Sequence, residues 1–452
     1  MSIGPGGGLD IILGKLANFK NIYAVEINPD IRKVLYDYKD YNGDILNLPE
    51  LSFKISEGRA YLSAQNRSYD LILLSLSLTN TSAKIGHPFT ECYLHTVEAY
   101  IEYYCHLNPL GMVAVFCETE SFLLRTLLTI IQASVRCGIN ISEAHKHLVV
   151  VENFLPESPY RYLIMFFANP ISETKALAVS EECQKRHLHI KFLPYFEERL
   201  AVKFDNIQQM KDFVGKMRKE CSLNVAPVND EKPFFYDFGI KIPGSFIRLL
   251  LVSALCAFVL LVFLRRRHKA ILISNFYFLG IGYMIIEVAI IQKFIYLFGD
   301  PSLVFGFVLC IFLIASGIGG LTSQNRDVWT KIAVLLLPLL LLGTYGLINE
   351  LINYLRQASE LIKFFVSGII IFLLGYLMGK PFPLSLGAIG ETNKIDIGII
   401  YGINGLMSVC GSILAMVCAR LLGFKFLFLI GFFIYLLVWL NMELSGIFQC
   451  KK

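Results

Sequence analysis

From Ser245 onward the chain is built of long apolar runs with few charges, while residues 1–240 carry charges throughout. A run of about 20 such residues is long enough to cross a bilayer as a helix. Within hydrocarbon, irregular backbone is tolerated only where protein buries it. The second half of the chain is therefore confined to one architecture, a set of membrane helices. They are read near residues 245–264, 271–297, 302–321, 332–349, 362–379, 397–419 and 424–442. The apolar fraction of 55% is too high for a soluble protein, and the excess lies here. The expected division is a ligand-binding α/β domain over 1–170, an accessory α/β region and linker over 171–244, and an all-α multi-span domain over 245–443 whose partner is the lipid bilayer.

Three features of the membrane half go beyond hydropathy. Glu287 stands mid-helix among apolar residues, with Gln292 about a turn further on. An intramembrane carboxylate is costly and marks either a functional site or a structural pair. Gly398/Gly402 and Ser408/Ser412 set small residues at four-residue spacing, which predicts close helix packing along the sixth span. Asn404, between them, reads as structural glue hydrogen-bonding across helices. Gly379-Lys380-Pro381-Phe382-Pro383 ends the fifth helix, and non-helical backbone at that depth is expected to be protein-buried.

The soluble half starts on Gly4-Pro5-Gly6-Gly7-Gly8-Leu9-Asp10, four glycines in five positions, followed by an amphipathic segment. Glycine is needed where φ is positive or where a side chain would block a ligand. The helix that follows offers unpaired N–H groups and the positive end of its dipole. A strand, Ile22-Tyr23-Ala24-Val25, then ends in Glu26. An acid about 20 residues past a glycine loop is the usual acceptor for ribose hydroxyls. Leu9 replaces the third glycine of a dinucleotide fingerprint, and no Lys-Ser or Lys-Thr follows, which excludes a P-loop. Loop and acid together suit the adenosyl-ligand fold of class I methyltransferases; without a ligand the loop is only a tight turn.

Downstream, Asn28-Pro29-Asp30 opens a helix. Leu51–Ile55 is a short strand ending in Ser56-Glu57-Gly58-Arg59, where Glu57 reads equally as an adenine acceptor or a helix cap. Tyr69–Leu74, a continuous apolar run, is a buried parallel strand. A loop with Gly86 and Pro88 leads to a helix from about Thr90 to His106. Met112–Cys117 is the next strand, and Phe122–Cys137 a helix closed by Gly138. His147–Phe154 and Tyr160–Phe167 form a hairpin that ends the sheet. The fold class is thus a doubly wound α/β sheet with an antiparallel edge hairpin. Helices are expected over Glu173–Arg186 and Ile207–Glu220. The acidic, aromatic stretch Asp230–Asp237 reads as a linker packing its rings on the domain.

The glycine loop, Val25-Glu26-Ile27-Asn28-Pro29, Gly58-Arg59-Ala60-Tyr61-Leu62, Tyr69-Asp70-Leu71-Ile72 and Tyr93-Leu94-His95-Thr96-Val97-Glu98-Ala99-Tyr100 follow one another as in spermidine synthases. The chain resembles still more the bacterial membrane-fused spermidine synthase-like proteins. Asn229-Asp230-Glu231-Lys232-Pro233-Phe234-Phe235 is similar to a segment they carry before their membrane part, and Pro381-Phe382-Pro383-Leu384 and Tyr401-Gly402-Ile403-Asn404-Gly405 extend the likeness over nearly the whole chain.

The resemblance implies a donor, S-adenosylmethionine or its decarboxylated form, with no metal and a small-molecule acceptor it does not identify. Gly4, Gly6, Gly7, Gly8 and Asp10 would hold the amino-acid or aminopropyl side, Glu26 with Ile27 beside it the ribose, and Glu57 with Gly58 the adenine. The departures bear on chemistry. Where the family's strand runs into a catalytic Asp, with another three positions on, this chain has Ser75 and Leu78. Glu91 is the nearest substitute base. The family's amino-terminal β-hairpins are missing as well. Two functions follow as expectations: a membrane-anchored transferase moving a methyl or aminopropyl group, or a transporter or sensor with a non-catalytic adenosyl-binding domain.

Adenosyl donors are cytosolic, which places the soluble half on the cytoplasmic side of a bacterial inner membrane. Arg265-Arg266-Arg267-His268-Lys269, after the first span, pulls the other way, because short basic loops prefer the cytoplasm. No signal peptide precedes the glycine loop. Only Ser2 and Ile3 remain of the strand leading into that loop, so a truncated member is expected, with the neighbouring strands left unpaired. The net charge of +5 has no basic stripe interleaved with aromatics, which argues against nucleic acid. The 11 cysteines are scattered without any C-x-x-C and read as reduced thiols. His145/His147 and His187/His189, at strand-face spacing, read as surface histidines rather than metal ligands.

Overall fold

Five apolar stretches pair side by side as parallel strands: β1 (Ser2–Ile3), β2 (Ile22–Glu26), β3 (Leu51–Ile55), β4 (Tyr69–Leu74) and β5 (Leu107–Cys117). The computed structural model describes residues 1–75, 91–155, 160–198, 200, 203–265, 270–323, 328–389 and 394–448. Among them the strand order is β3-β2-β1-β4-β5-β7-β6-β8-β9, with β6 (Leu148–Glu152) and β7 (Tyr162–Phe167) forming the antiparallel hairpin. This is the doubly wound, class I methyltransferase-like arrangement. The chain divides into two compact units, Met1–Ile240 and Lys241–Lys452.

The hairpin is not the end of the sheet. β8 (His189–Leu193) pairs antiparallel with β6, and β9 (Glu197–Glu198) with β8. The two-residue β1 does not leave its neighbours wholly unpaired either. Ser2 and Ile3 bridge Ala24 and Val25 on one side and Leu73 and Leu74 on the other. The Met1 α-amino group donates to the Leu71 carbonyl at 2.7 Å, and burial pushes its pKa down to about 5.

Among the described residues, the helices of six residues or more in this unit are α1 (Leu9–Leu16), α2 (Pro29–Asp37), α3 (Gly58–Ser63), α4 (Val97–Cys105), α5 (Glu120–Arg136), α6 (Glu173–Lys185) and α7 (Ile207–Glu220). Local signals explain their ends. Asn28 caps α2 through the Asp30 N–H at 3.0 Å, with Pro29 at its first position. Gly138 closes α5 at φ +91°. The helix expected from Thr90 starts later, because Thr96 is its cap, accepting from the Ala99 N–H at 3.2 Å. A short 3₁₀ turn, Tyr93–His95, precedes it; Thr90, Gly86 and Pro88 lie outside the described residues.

Two histidine readings change. His147 is buried, its Nδ1 2.9 Å from the Phe167 carbonyl oxygen, and His145 shares its 3₁₀ turn rather than a strand. His189 lies in β8, while His187 precedes it at φ +55°. The ten described cysteines are all free thiols.

Among its described residues the second unit contains seven helices long and apolar enough to cross a membrane. Its elements are α8 (Gly244–Arg265), α9 (Ala270–Phe298), α10 (Pro301–Leu321), α11 (Val328–Arg356), α12 (Glu360–Gly379), α13 (Pro381–Ala388), α14 (Lys394–Leu422) and α15 (Phe424–Leu444). α12 and α13 share one span, because Lys380 keeps helical angles (φ −73°, ψ −44°) where a break was expected. Buried at that joint, the Lys380 ammonium donates to Thr322 Oγ1 at 3.0 Å and lies 4.4 Å from the Tyr376 ring centroid. Arg266–Lys269 lie outside the described residues.

Close packing occurs, but not at the glycines expected to provide it. A Cβ on Gly398 would meet nothing within 4 Å. The tight approach of α9 and α14 is made instead by Gly280, against the Asn404 carbonyl, and Gly411, against that of Ile281, 2.5 and 2.7 Å from where their Cβ atoms would stand. Ser408 and Ser412 turn their hydroxyls back to the Asn404 and Ser408 carbonyls of their own helix. The Asn404 amide oxygen is buried with no hydrogen-bond partner among the described residues, so it does not act as the expected interhelical acceptor.

Candidate functional site

In an open parallel sheet, ligands bind beyond the carboxyl ends of the strands where the strand order reverses. Here that point is the gap between β1 and β4. The glycine loop leaves β1 there, Glu26 ends β2, Glu57 follows β3 and Ser75 follows β4. Gly4, Gly6 and Gly8 adopt φ of +71°, +50° and +87°. A Cβ on Gly6 or Gly7 would stand in open space, which leaves room over the loop for a ligand. At Gly8 a Cβ would run into Ile45, and at Gly58 into Ile3, so these two glycines serve packing.

Glu26 is buried and ties the site together. One carboxylate oxygen accepts from the Asn28 N–H at 3.0 Å, the other from the Gly6 N–H of the loop at 3.4 Å. Ile27 beside it is half-exposed. Glu57 caps α3, accepting from the Ala60 N–H at 2.6 Å, so the helix-cap reading is realised.

Asp10 stands in the first turn of α1, just past the loop. It is buried, with Oδ2 accepting from Ser2 Oγ at 2.7 Å, and it hydrogen-bonds to Ser75 as well. Burial raises its pKa, against the opposing effect of the two serines. A carboxyl thus does reach the end of β4, supplied by α1 instead of by the strand itself. Leu78 lies outside the described residues.

Glu91 is partly buried, and loss of water pushes its pKa up to about 7, against a hydrogen bond within its own backbone. The next residue, Cys92, donates its N–H to the Pro233 carbonyl at 2.7 Å. That contact belongs to a strap, residues 224–238, held by two buried arginines. Arg59 of α3 grips Asp230 bidentately at 2.7 and 2.9 Å and reaches Glu102 at 2.9 Å. Arg125 of α5 donates to the carbonyls of Asn224, Phe234, Phe235 and Asp237. The strap's rings do pack on the domain, Phe235 lying 4.8 Å from His95 and 4.9 Å from Phe122 between centroids. Burial, and then the neighbouring Cys92 and Glu118, drive the Tyr236 phenol well above its usual pKa.

Two of these groups were missed in the sequence. Glu118 directly follows β5, so it lies on the same strand-end edge as Ser75. Tyr236 comes to that edge from a part of the chain read as a linker. The only signal for Glu118 was its place at a strand end; nothing local pointed to Tyr236. In the other unit, Glu287 and Gln292 lie on α9 and Asn404 on α14, and Glu287 is only 6% exposed.

No family model matches the chain, and no curated protein matches it. Among solved structures it is similar to a probable spermidine synthase from Corynebacterium glutamicum ATCC 13032, at 15% identity over 42% of this chain and 65% of that one, with a TM-score of 0.31. A spermidine synthase from Thermotoga maritima shows 17% identity over 48% and 68% of the two chains, with a TM-score of 0.30. A spermidine synthase in complex with the transition-state analogue AdoDATO shows 17% identity over 48% and 67%, with a TM-score of 0.29. The chain thus spans 65% of the first of these proteins, under two thirds of its length.

Proposed function

We propose that the soluble unit is a spermidine synthase-like alkyl transferase that binds S-adenosylmethionine or its decarboxylated form, fused to a membrane-spanning unit. The observation carrying this reading is the convergence of the glycine loop, Glu26 and Glu57 at consecutive strand ends on the point where the strand order reverses. The open space over Gly6 and Gly7 fits such a donor. The resemblance in the ordered motifs points the same way.

The donor supplies a carbon activated by bonding to a sulfonium. The protein's part is to hold that carbon in line with an acceptor and to take a proton. The acceptor's lone pair forms the new bond to carbon, the carbon–sulfur bond breaks with its electron pair to sulfur, and the acceptor's proton passes to a base. Glu91 suits that role, because a base works best with a pKa near the working pH. Ser75, bonded to Asp10, would orient rather than ionise. A turnover assay with isotopically labelled donor tests the reading; donor binding with no transfer to any amine, thiol or hydroxyl acceptor would reduce the domain to a binding module.

That outcome is the second reading, a transporter or sensor, and the buried Glu287 in the membrane unit favours keeping it. The donor's cytosolic location puts the soluble unit on the cytoplasmic face, the bacterial inner membrane being the setting the resemblance implies. A topology reporter fused after Gly244 and active only outside the cytoplasm would overturn that orientation.

A further inference from the structure

Lys380 carries a positive charge that no acid among the described residues meets. It lies at the joint of α12 and α13 and is 4% exposed. Its ammonium donates to Oγ1 of Thr322, the residue that caps the carboxyl end of α10, at 3.0 Å. The same ammonium is 4.4 Å from the Tyr376 ring centroid, and Thr322 Oγ1 donates to the Tyr376 hydroxyl at 3.1 Å. Direct contacts therefore join one ammonium and two hydroxyls across α10 and α12. Just before them along both helices, the backbones touch. A Cβ on Gly319 would run into the Tyr376 carbonyl, and one on Gly379 into that of Ser316. That closes the cluster toward the middle of the helices, while Thr322 is exposed on the other side.

Helix length sets the depth of this cluster. α10 has 21 residues and α12 has 20. At 1.5 Å per residue each spans about 30 Å, the thickness of the hydrocarbon. Both begin on an acid, Asp300 capping α10 and Glu360 opening α12. Thr322 and Lys380 therefore fall together at the opposite boundary, where the phosphates of a bilayer lie. Trp329, largely exposed at the start of α11, marks the same level, because Trp concentrates at that interface.

A buried ammonium costs free energy unless an opposite charge meets it. The hydroxyls and the ring supply only dipoles, and the carboxyl end of α10 about half a charge. Lys331 and Lys363 of this unit do meet carboxylates, those of Glu443 and Glu360. A lysine that merely reached for water at this depth would be exposed; Lys380 is turned inward to Thr322 instead. The cluster offers three ammonium protons and two hydroxyls, a donor set that suits an anion with several acceptor oxygens. At the boundary of a bilayer the abundant anion of that kind is phosphate. We propose that Lys380, Thr322 and Tyr376 form an interfacial site for a phosphate group, the ammonium meeting its charge and the two hydroxyls donating to its oxygens. A phospholipid headgroup and soluble phosphate share that chemistry. The site is independent of what the soluble unit does.

The test uses the full-length protein in dodecyl maltoside, a detergent without phosphate, and reads bound ligand by native mass spectrometry. The probes are phosphatidylglycerol, diacylglycerol with the same chains, and inorganic phosphate. A phosphate-bearing probe should bind where diacylglycerol does not. Lys380→Met should weaken that binding about tenfold or more, the scale of a hydrogen bond to a charged group. Thr322→Val, which keeps the ammonium, should weaken it severalfold, and Lys380→Arg should retain it. Lys331→Met, whose charge Glu443 already meets, should bind like the parent. Phosphatidylglycerol that inorganic phosphate does not displace assigns the site to a lipid headgroup. Displacement, or binding of inorganic phosphate alone, assigns it to a soluble phosphate; either supports the site. Binding that does not depend on phosphate in either probe, or parental affinity in both Lys380→Met and Thr322→Val, overturns it.

Discussion

Arg59 and Asp230, 171 residues apart, meet in a bidentate pair with N–O distances of 2.7 and 2.9 Å. The Arg59 side chain is 2% exposed and that of Asp230 16%, so the pair is nearly dry. Thr96 adds a hydroxyl to Asp230 at 2.7 Å, and Glu98 accepts the Asp230 N–H at 3.0 Å. The pair therefore fastens the strap to α3, the helix that Glu57 caps, and to the start of α4. Asp230→Ala removes from the buried guanidinium the carboxylate that now holds both of its terminal nitrogens. The expected cost is about 3 kcal/mol, the lower end for breaking a buried pair by removing one partner. Pulse proteolysis of the full-length protein in detergent measures it. An unchanged unfolding midpoint would mean that the strap is not fastened there.

Glu26 is the group whose loss donor binding should feel most. Glu26→Ala should weaken S-adenosylmethionine by about 1.5–3 kcal/mol, the scale of a hydrogen bond to a charged group. Glu26→Gln should lose less, since an amide oxygen still accepts from the Asn28 or Gly6 N–H that Glu26 now holds. Calorimetry giving equal affinity for parent and alanine variant would remove Glu26 from the site.

The membrane unit offers a contrast between two glycines. A methyl group on Gly319 would run into the Tyr376 backbone carbonyl across α10 and α12, an obstacle that cannot rotate away. Gly319→Ala should cost about 1–3 kcal/mol, as overpacking does. Gly398→Ala has open space and should be neutral or slightly stabilising, because alanine is the better helix former. Thermal denaturation in detergent separates the two; equal shifts would mean that the α10–α12 contact is looser than it is drawn.

The parts legible in the sequence were those written in local patterns. Unbroken apolar runs marked the candidate spans, a glycine loop followed by an acid marked the strand ends where the sheet order reverses, and Asn28, Pro29 and Gly138 marked helix ends. What escaped depends on residues distant in the chain. Asp10 and Ser75 meet only because β1 and β4 are neighbours in the sheet, so a strand end without its own acid still receives one. β8 escaped because half-buried residues at its start blur the alternation of a strand. Gly398 and Gly402 had the spacing of a packing motif but face away from α9, and spacing alone does not say which face of a helix meets its neighbour.

The chemistry at the end of β4 gives the last prediction. Aminopropyl transfer to a diamine requires removal of a proton from an ammonium group, for which true spermidine synthases use a strand-end Asp. Ser75 has no charge, and Asp10 is turned into hydrogen bonds with Ser2 and Ser75, with its pKa raised by burial. That leaves Glu91, whose pKa is pushed up to about 7. A carboxyl that stays protonated up to that pH in the folded state, but ionises near its ordinary value when unfolded, opposes folding increasingly as pH rises from the lower value to the higher. Its use as a base requires the ionised form, so transfer should climb through neutral pH. Loss of a general base costs about 10²–10⁴-fold, and Glu91→Gln should show that loss together with a flattened pH profile. With putrescine and decarboxylated S-adenosylmethionine, the full-length protein should form spermidine poorly, because the end of β4 carries the uncharged Ser75 where the family has an Asp to hold the diamine. Robust spermidine formation, unaffected by Glu91→Gln, would show that the chain does without the missing Asp and that Glu91 is not its base.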